Sequence, residues 1–92
     1  MKHLNIIVKG QVQGVSYRAA TKAVADQLGV KGFIRNEPGG DVFIEAEGDK
    51  LSLEMFLEWC REGPEHANVN LVESHKGELK NYRNFEIVKK SL

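Results

Sequence analysis

The sequence predicts an α+β fold of the split βαβ kind, with two helices on one face of an antiparallel sheet of four to five strands. Three observations carry this. Apolar residues alternate with a period of two in several short runs, spacings of three and four interrupt that alternation twice, and a run rich in glycine and proline sits between the two central strands.

His3 to Val8 alternates, with Leu4, Ile6 and Val8 on one face and Asn5 and Ile7 on the other, which describes a half-buried strand. A glycine-punctuated loop follows, Lys9-Gly10-Gln11-Val12-Gln13-Gly14-Val15-Ser16-Tyr17-Arg18. From Tyr17 the period changes. Tyr17, Ala20, Val24 and Leu28 form one stripe of a helix, from which Lys22, Asp26 and Gln27 fall away, and Gly29 is able to end it. Val30 to Asn36 is expected to be a second strand. Glu37-Pro38-Gly39-Gly40-Asp41 is a turn, because proline fixes φ and glycine permits positive φ. Val42 to Glu47 then alternates, Val42, Ile44 and Ala46 inward and Phe43, Glu45 and Glu47 outward, which closes a β-hairpin. Asp49 is an N-cap candidate for a second helix, whose residues Leu53, Phe56, Leu57 and Cys60 share a buried face, and Gly63-Pro64 stops it. Trp59 and Met55 lie off that stripe. Val69 to Val72 and Phe85 to Val88 are expected to be short strands, and the polar stretch Ser74 to Asn84 a loop at one edge. The order matches the ferredoxin-like layout, which by itself hosts many unrelated functions.

The chain's 92 residues suit one domain, 1–92, with a single core. Thirteen basic residues balance thirteen acidic ones, so no global field draws nucleic acid or an anionic membrane, and any anion binding must be local. A single cysteine, Cys60, gives no internal disulfide and suits a reducing compartment. No stretch has the apolar core of a signal peptide or the length of a membrane span. The expectation is a cytoplasmic, monomeric domain. His3, His66 and His75 have no metal-ligand spacing to one another or to Cys60, so no metal is expected. Lys89-Lys90 is expected to be a solvated tail.

The loop at 9–18 is where chemistry is expected. A strand, a glycine loop and a helix start aim free backbone N–H groups and the positive end of the helix dipole at one spot, an anion cradle. Arg18 stands in the first helical turn, where a cation opposes the dipole, so it is read as serving an anion rather than the helix. Its guanidinium fork suits bidentate phosphate binding. Strand two ends at Asn36, whose amide offers both donor and acceptor atoms for holding a water. Cradle, clamp and water-holder together suit hydrolysis of a reactive phosphoryl group. They suit a phosphate ester poorly, since an alkoxide leaving group wants a general acid or metal.

Gly10 to Arg18 resembles the first signature of the acylphosphatase family, Gly-x-Val-Gln-Gly-Val-x-(Phe or Tyr)-Arg, with all seven of its defined positions matched. Gly32-Phe33-Ile34-Arg35-Asn36, with Gly40, Val42 and Gly48, resembles the second signature and departs from it at Ile34. Gly63-Pro64 and Phe85-x-Ile87 extend the likeness over most of the chain. Gly39 and Ser16 are further departures, neither at a catalytic position.

The resemblance implies that Arg18 binds the phosphate and that Asn36 positions the attacking water. It also implies that Gln13, Gly14, Val15, Ser16 and Tyr17 form the loop whose amides, with Arg18, bind the substrate. The implied reaction is metal-free and cofactor-free hydrolysis of the carboxyl-phosphate anhydride of an acyl phosphate, such as acetyl phosphate, carbamoyl phosphate or 1,3-bisphosphoglycerate. Attack by water is direct, which agrees with a loop lacking cysteine and with a Ser16 that has no histidine nearby in sequence to activate it. Two other readings are weighed against this. A phosphate-binding module without turnover, alone or within a larger maturation factor, would keep the cradle, although the Met1 start and the length favour a stand-alone enzyme. A small RNA-binding domain of the same topology would need exposed aromatics on its central strands and a basic balance. Phe43 is the main aromatic candidate here, and the net charge is zero.

Overall fold

The computed structural model describes residues 1–89, so Lys90 of the expected tail lies outside the described residues. Seven elements follow in order: β1 (Lys2–Gln11), α1 (Tyr17–Leu28), β2 (Lys31–Asn36), β3 (Val42–Gly48), α2 (Lys50–Glu62), β4 (Asn68–Gly77) and β5 (Phe85–Val88). The sheet order is β4-β1-β3-β2-β5. β1 pairs antiparallel with β3 and β4, and β2 pairs antiparallel with β3. The final strand refines the predicted antiparallel sheet: β5 runs parallel to β2, which makes the sheet mixed. β4 occupies one edge and β5 the other, so the chain must cross the sheet between them.

The two helices bury their stripes on one face. Ile6, Val8, Ile34, Val42, Ile44 and Ala46 point there from the strands and meet Tyr17, Ala25, Leu53, Phe56 and Cys60 from the helices. On α1 the buried line is Tyr17, Thr21 and Ala25, with Val24 and Leu28 partly buried, a small rotation from the predicted Tyr17-Ala20-Val24-Leu28 stripe. Thr21 can be buried because its hydroxyl donates to the carbonyl of Tyr17 at 2.7 Å, as a threonine one helical turn on is able to do. On α2 the predicted face is found, with Asp49 as N-cap accepting from the Ser52 N–H at 2.8 Å. That bond holds the Asp49 carboxyl below its ordinary range. Trp59 is half-buried against the Tyr17 ring and Met55 is largely exposed.

β1 continues past its predicted end because the ladder with β4 continues. The register shifts between Lys9 and Gly10, a bulge. Gly10 has φ +134°, and a Cβ there would collide with the backbone oxygen of Asn68, so the close approach of the two strands requires glycine.

The expected loop at 74–84 is corrected by the structure. Residues 74–77 belong to β4, and 78–84 cross the face of the sheet opposite the helices. The predicted outward residues Glu45 and Glu47 are therefore buried, Glu47 to 1% exposure. Glu47 accepts the backbone N–H of Lys80 at 2.6 Å and of Tyr82 at 3.2 Å, and faces His3 Nδ1 at 2.7 Å. Glu45 accepts the Tyr82 hydroxyl at 2.7 Å. Burial alone would raise the Glu47 pKa, but the Lys80 N–H, His3 and the Tyr82 N–H together hold it below the ordinary value. Burial and the neighbouring Glu45 push the Tyr82 phenol up.

Candidate active site

The cradle is built by two left-handed residues on either side of Val15. Gly14 has φ +74° and Ser16 has φ +61°, after which α1 begins at Tyr17. Turns of this kind converge successive backbone N–H groups into an anion-binding concavity, and the first N–H groups of a helix have no acceptor within it. Ser16 is the N-cap by position, yet its side chain caps nothing. Its backbone conformation is set by the loop rather than by a capping bond.

A cleft of about 330 Å³ opens over this turn. Gly14, Ser16, Tyr17 and Arg18 line it from the loop and α1, Asn36 from the end of β2, and Lys89 from beyond β5. Val12, Ala19 and Ile87 supply apolar wall. The structure thus brings the predicted pair, Arg18 and Asn36, into one cavity. Arg18 donates from Nη1 to the carbonyl of Val88 at 3.3 Å, which steadies the guanidinium against β5. Asn36 lies on the helix-facing side of its strand, two residues on from the buried Ile34, and its Cα pairs with that of Val42. Among the described residues, two cations and no carboxylate line the cleft, so these residues give it a positive field although the chain is neutral.

The other loop residues divide. Tyr17 reaches the cleft edge, but the residue is only 1% exposed and its hydroxyl donates to the carbonyl of Cys60 at 2.7 Å, tying α1 to α2. Burial raises the pKa of that phenol and pushes the Cys60 thiol up to about 12, so both stay neutral. Val15 packs against the core. The Gln13 side chain turns away from the cleft wall and donates to two carbonyls of the β2–β3 turn, Glu37 at 2.9 Å and Asp41 at 2.8 Å. For Gln13 and Val15 only the backbone is left to serve a cradle. Sequence reasoning missed Lys89 and Ile87 as wall residues, because nothing local says that the last strand lies beside β2. The Phe85-x-Ile87 pattern was the available signal.

Among the described residues, no group of three or more His, Cys, Asp and Glu side chains is placed to hold a metal ion. No helix among them is long and apolar enough to cross a membrane.

Residues 4–87 match the acylphosphatase family model. A protein of Archaeoglobus fulgidus named acylphosphatase is 46% identical over 84 residues, which cover 91% of this chain and 94% of that one. Another of that name, from Marinobacter nauticus, is 52% identical over 68 residues, 74% of each chain. The crystal structure of acylphosphatase from Bacillus subtilis superposes with a TM-score of 0.93 at 32% identity, covering 96% of this chain and 99% of that one. Whole-chain likeness in sequence and in backbone agrees with the signature residues around the cleft: the chain belongs to the acylphosphatase family.

Proposed function

We propose that the protein hydrolyses the carboxyl-phosphate anhydride of acyl phosphates, releasing a carboxylate and inorganic phosphate. The observation that carries this is the presence of Arg18 and Asn36 in one cleft over the left-handed turn at Gly14 and Ser16. The phosphoryl group sits in the turn, its equatorial oxygens shared between the amides of residues 13–18 and the Arg18 fork. The Asn36 amide oxygen accepts a hydrogen bond from one water and orients it for in-line attack on phosphorus, and the water's protons pass to the phosphate formed and to solvent. The P–O bond to the acyl oxygen breaks as the new one forms, and the electron pair leaves with the carboxylate.

Positioning and charge stabilisation are most of what phosphoryl transfer asks of a protein. The leaving carboxylate, with a pKa of roughly 4, departs unprotonated and needs no general acid. That is why a cleft whose described lining holds neither a carboxylic acid nor a histidine suffices. Whole-chain likeness to proteins of this name supports one domain acting alone, and zero net charge supports a small-molecule substrate rather than nucleic acid. A single buried cysteine with no disulfide suits a reducing compartment such as the cytoplasm.

The test is phosphate release from benzoyl phosphate in the presence of EDTA. The wild type is expected to turn over, Arg18→Ala to lose phosphate inhibition along with activity, and Asn36→Ala to keep phosphate inhibition while losing turnover. Wild-type rates in either variant would overturn the assignment.

A further inference from the structure

The cradle and the water-holder sit on different segments, and one side chain spans them. Gln13, in the cradle loop, spends both amide hydrogens on the β2–β3 turn, one on Glu37 O at 2.9 Å and one on Asp41 O at 2.8 Å. These are the two residues that close the turn, since the Glu37 N–H also donates to Asp41 O at 2.8 Å. Asn36 is the residue immediately before Glu37. The two carbonyls lie 24 and 28 residues away in sequence, so this is a tertiary staple and not a local turn feature. A side-chain tie from β1 to this turn, Lys9 to Asp41 at 3.4 Å, is between half-exposed groups and is weak by comparison.

We infer that Gln13 is a positioning residue, coupling the phosphate cradle to Asn36 by clamping the β2–β3 turn with both hydrogens of its amide. It touches neither phosphate nor water through its side chain. It fixes the distance between the group that holds the phosphorus and the group that holds the attacking water. A displacement of about 1 Å in that distance is enough to cost on the order of a hundredfold in rate. Few side chains fit the position. A carboxylate has no hydrogens to give and would repel both carbonyls, a thioether of the same length gives none, and an ammonium of similar reach gives enough.

The inference rests on the role of Asn36 proposed above, and the experiment separates the two. Gln13→Met, Gln13→Lys and Gln13→Glu are assayed on benzoyl phosphate, with inorganic phosphate as competitive inhibitor and thermal midpoint as a control on folding. Gln13→Met is expected to lose about tenfold or more in kcat while phosphate inhibition stays within about twofold. Gln13→Lys is expected to recover most of that loss and Gln13→Glu to fall below Gln13→Met. Lys9→Ala is expected to stay within about twofold throughout. In the Asn36→Ala background, Gln13→Met is expected to cost nothing further, because the group it positions is gone. Wild-type kcat in Gln13→Met, loss of phosphate inhibition in step with kcat, or a full additional loss on Asn36→Ala each overturns the coupling. If Asn36→Ala itself keeps wild-type turnover, the water-holding role falls and the coupling falls with it.

Discussion

Two polar clusters lie on opposite faces of the same sheet, and they are built by opposite rules. On the helix-free face, Glu47, Glu45 and His3 are buried under the 78–84 crossing and directed at one another, at the Tyr82 hydroxyl of the crossing and at its backbone. On the helix face, Arg18 and Asn36 edge a cleft, where Arg18 donates to the Val88 carbonyl at 3.3 Å from a guanidinium that has five hydrogens to give. A buried charge is stable only when it is well partnered, and here the carboxylates are answered by backbone N–H groups, a phenol and an imidazole, so the first cluster serves the fold. In the second, the Arg18 guanidinium lies at the wall of an open cleft. The two differ in placement: the Glu47 carboxylate is enclosed among its partners, and the Arg18 guanidinium borders a cleft.

The strongest way to break the comparison is to exchange the effects of the two clusters. Arg18→Ala is expected to lower kcat/KM on an acyl phosphate by about a thousandfold, in line with removal of a charge-stabilising donor set. Its urea midpoint is expected to remain close to that of the wild type, because its bond to the Val88 carbonyl is long, at 3.3 Å, and only partly buried. Glu47→Gln is expected to do the reverse: stability falls by about 2 kcal/mol as a buried charge-assisted network loses its anion, with turnover within about twofold. A stability loss for the first or an activity loss for the second would show that the two faces are coupled.

Acid sharpens the same contrast. The Glu47 carboxyl is held below its ordinary pKa by the Lys80 N–H, His3 and the Tyr82 N–H, against the opposing effect of burial. A depressed folded-state pKa means that the unfolded chain binds the proton more readily. The stabilisation is therefore complete above the ordinary carboxylate range, near pH 4.3, and is lost as pH falls through the lower folded value. Urea midpoints measured from pH 6 down to pH 3 are expected to drop for the wild type and to drop less for Glu47→Gln. Parallel curves would show that Glu47 is not the group titrating.

Much of this arrangement was legible in the chain. Leu53, Phe56 and Cys60 announce a buried helical face, and Asp49 announces its start, because helical period and capping are local properties. Arg18 and Asn36 stood out through their motifs. The errors share one cause. Alternation assigned Glu45 and Glu47 to the outer face correctly, but periodicity says which face a residue takes and not what lies over it. The cover is a segment more than thirty residues downstream, joined to Glu47 by backbone N–H groups at 80 and 82 that no side-chain pattern records. The side-chain role of Gln13 was hidden for the same reason, since its acceptors are carbonyls of a distant turn. Arg18 was readable from its own helix position, whereas the wall residues Ile87 and Lys89 depended on the path of the crossing.

The smallest expected effect lies inside the cradle itself. Ser16 has φ 61° and ψ 22°, a left-handed conformation that costs a residue with a Cβ roughly 1–2 kcal/mol relative to right-handed backbone, and its hydroxyl makes no capping bond in return. Glycine would relieve that strain at position 16, while also giving the unfolded chain more freedom, an opposing effect of about 0.4–1 kcal/mol. The two leave Ser16→Gly about 0.5 kcal/mol more stable, readable as a rise in urea midpoint at unchanged slope. Phosphate inhibition measured on the same variant reports what the hydroxyl does at the cleft wall, because the backbone amide is retained and only the Oγ is removed. A stabilised variant with weaker inhibition would mean that the serine is kept for its hydroxyl at the expense of the fold. A variant less stable than the wild type would mean that the left-handed turn is held by the Ser16 side chain after all.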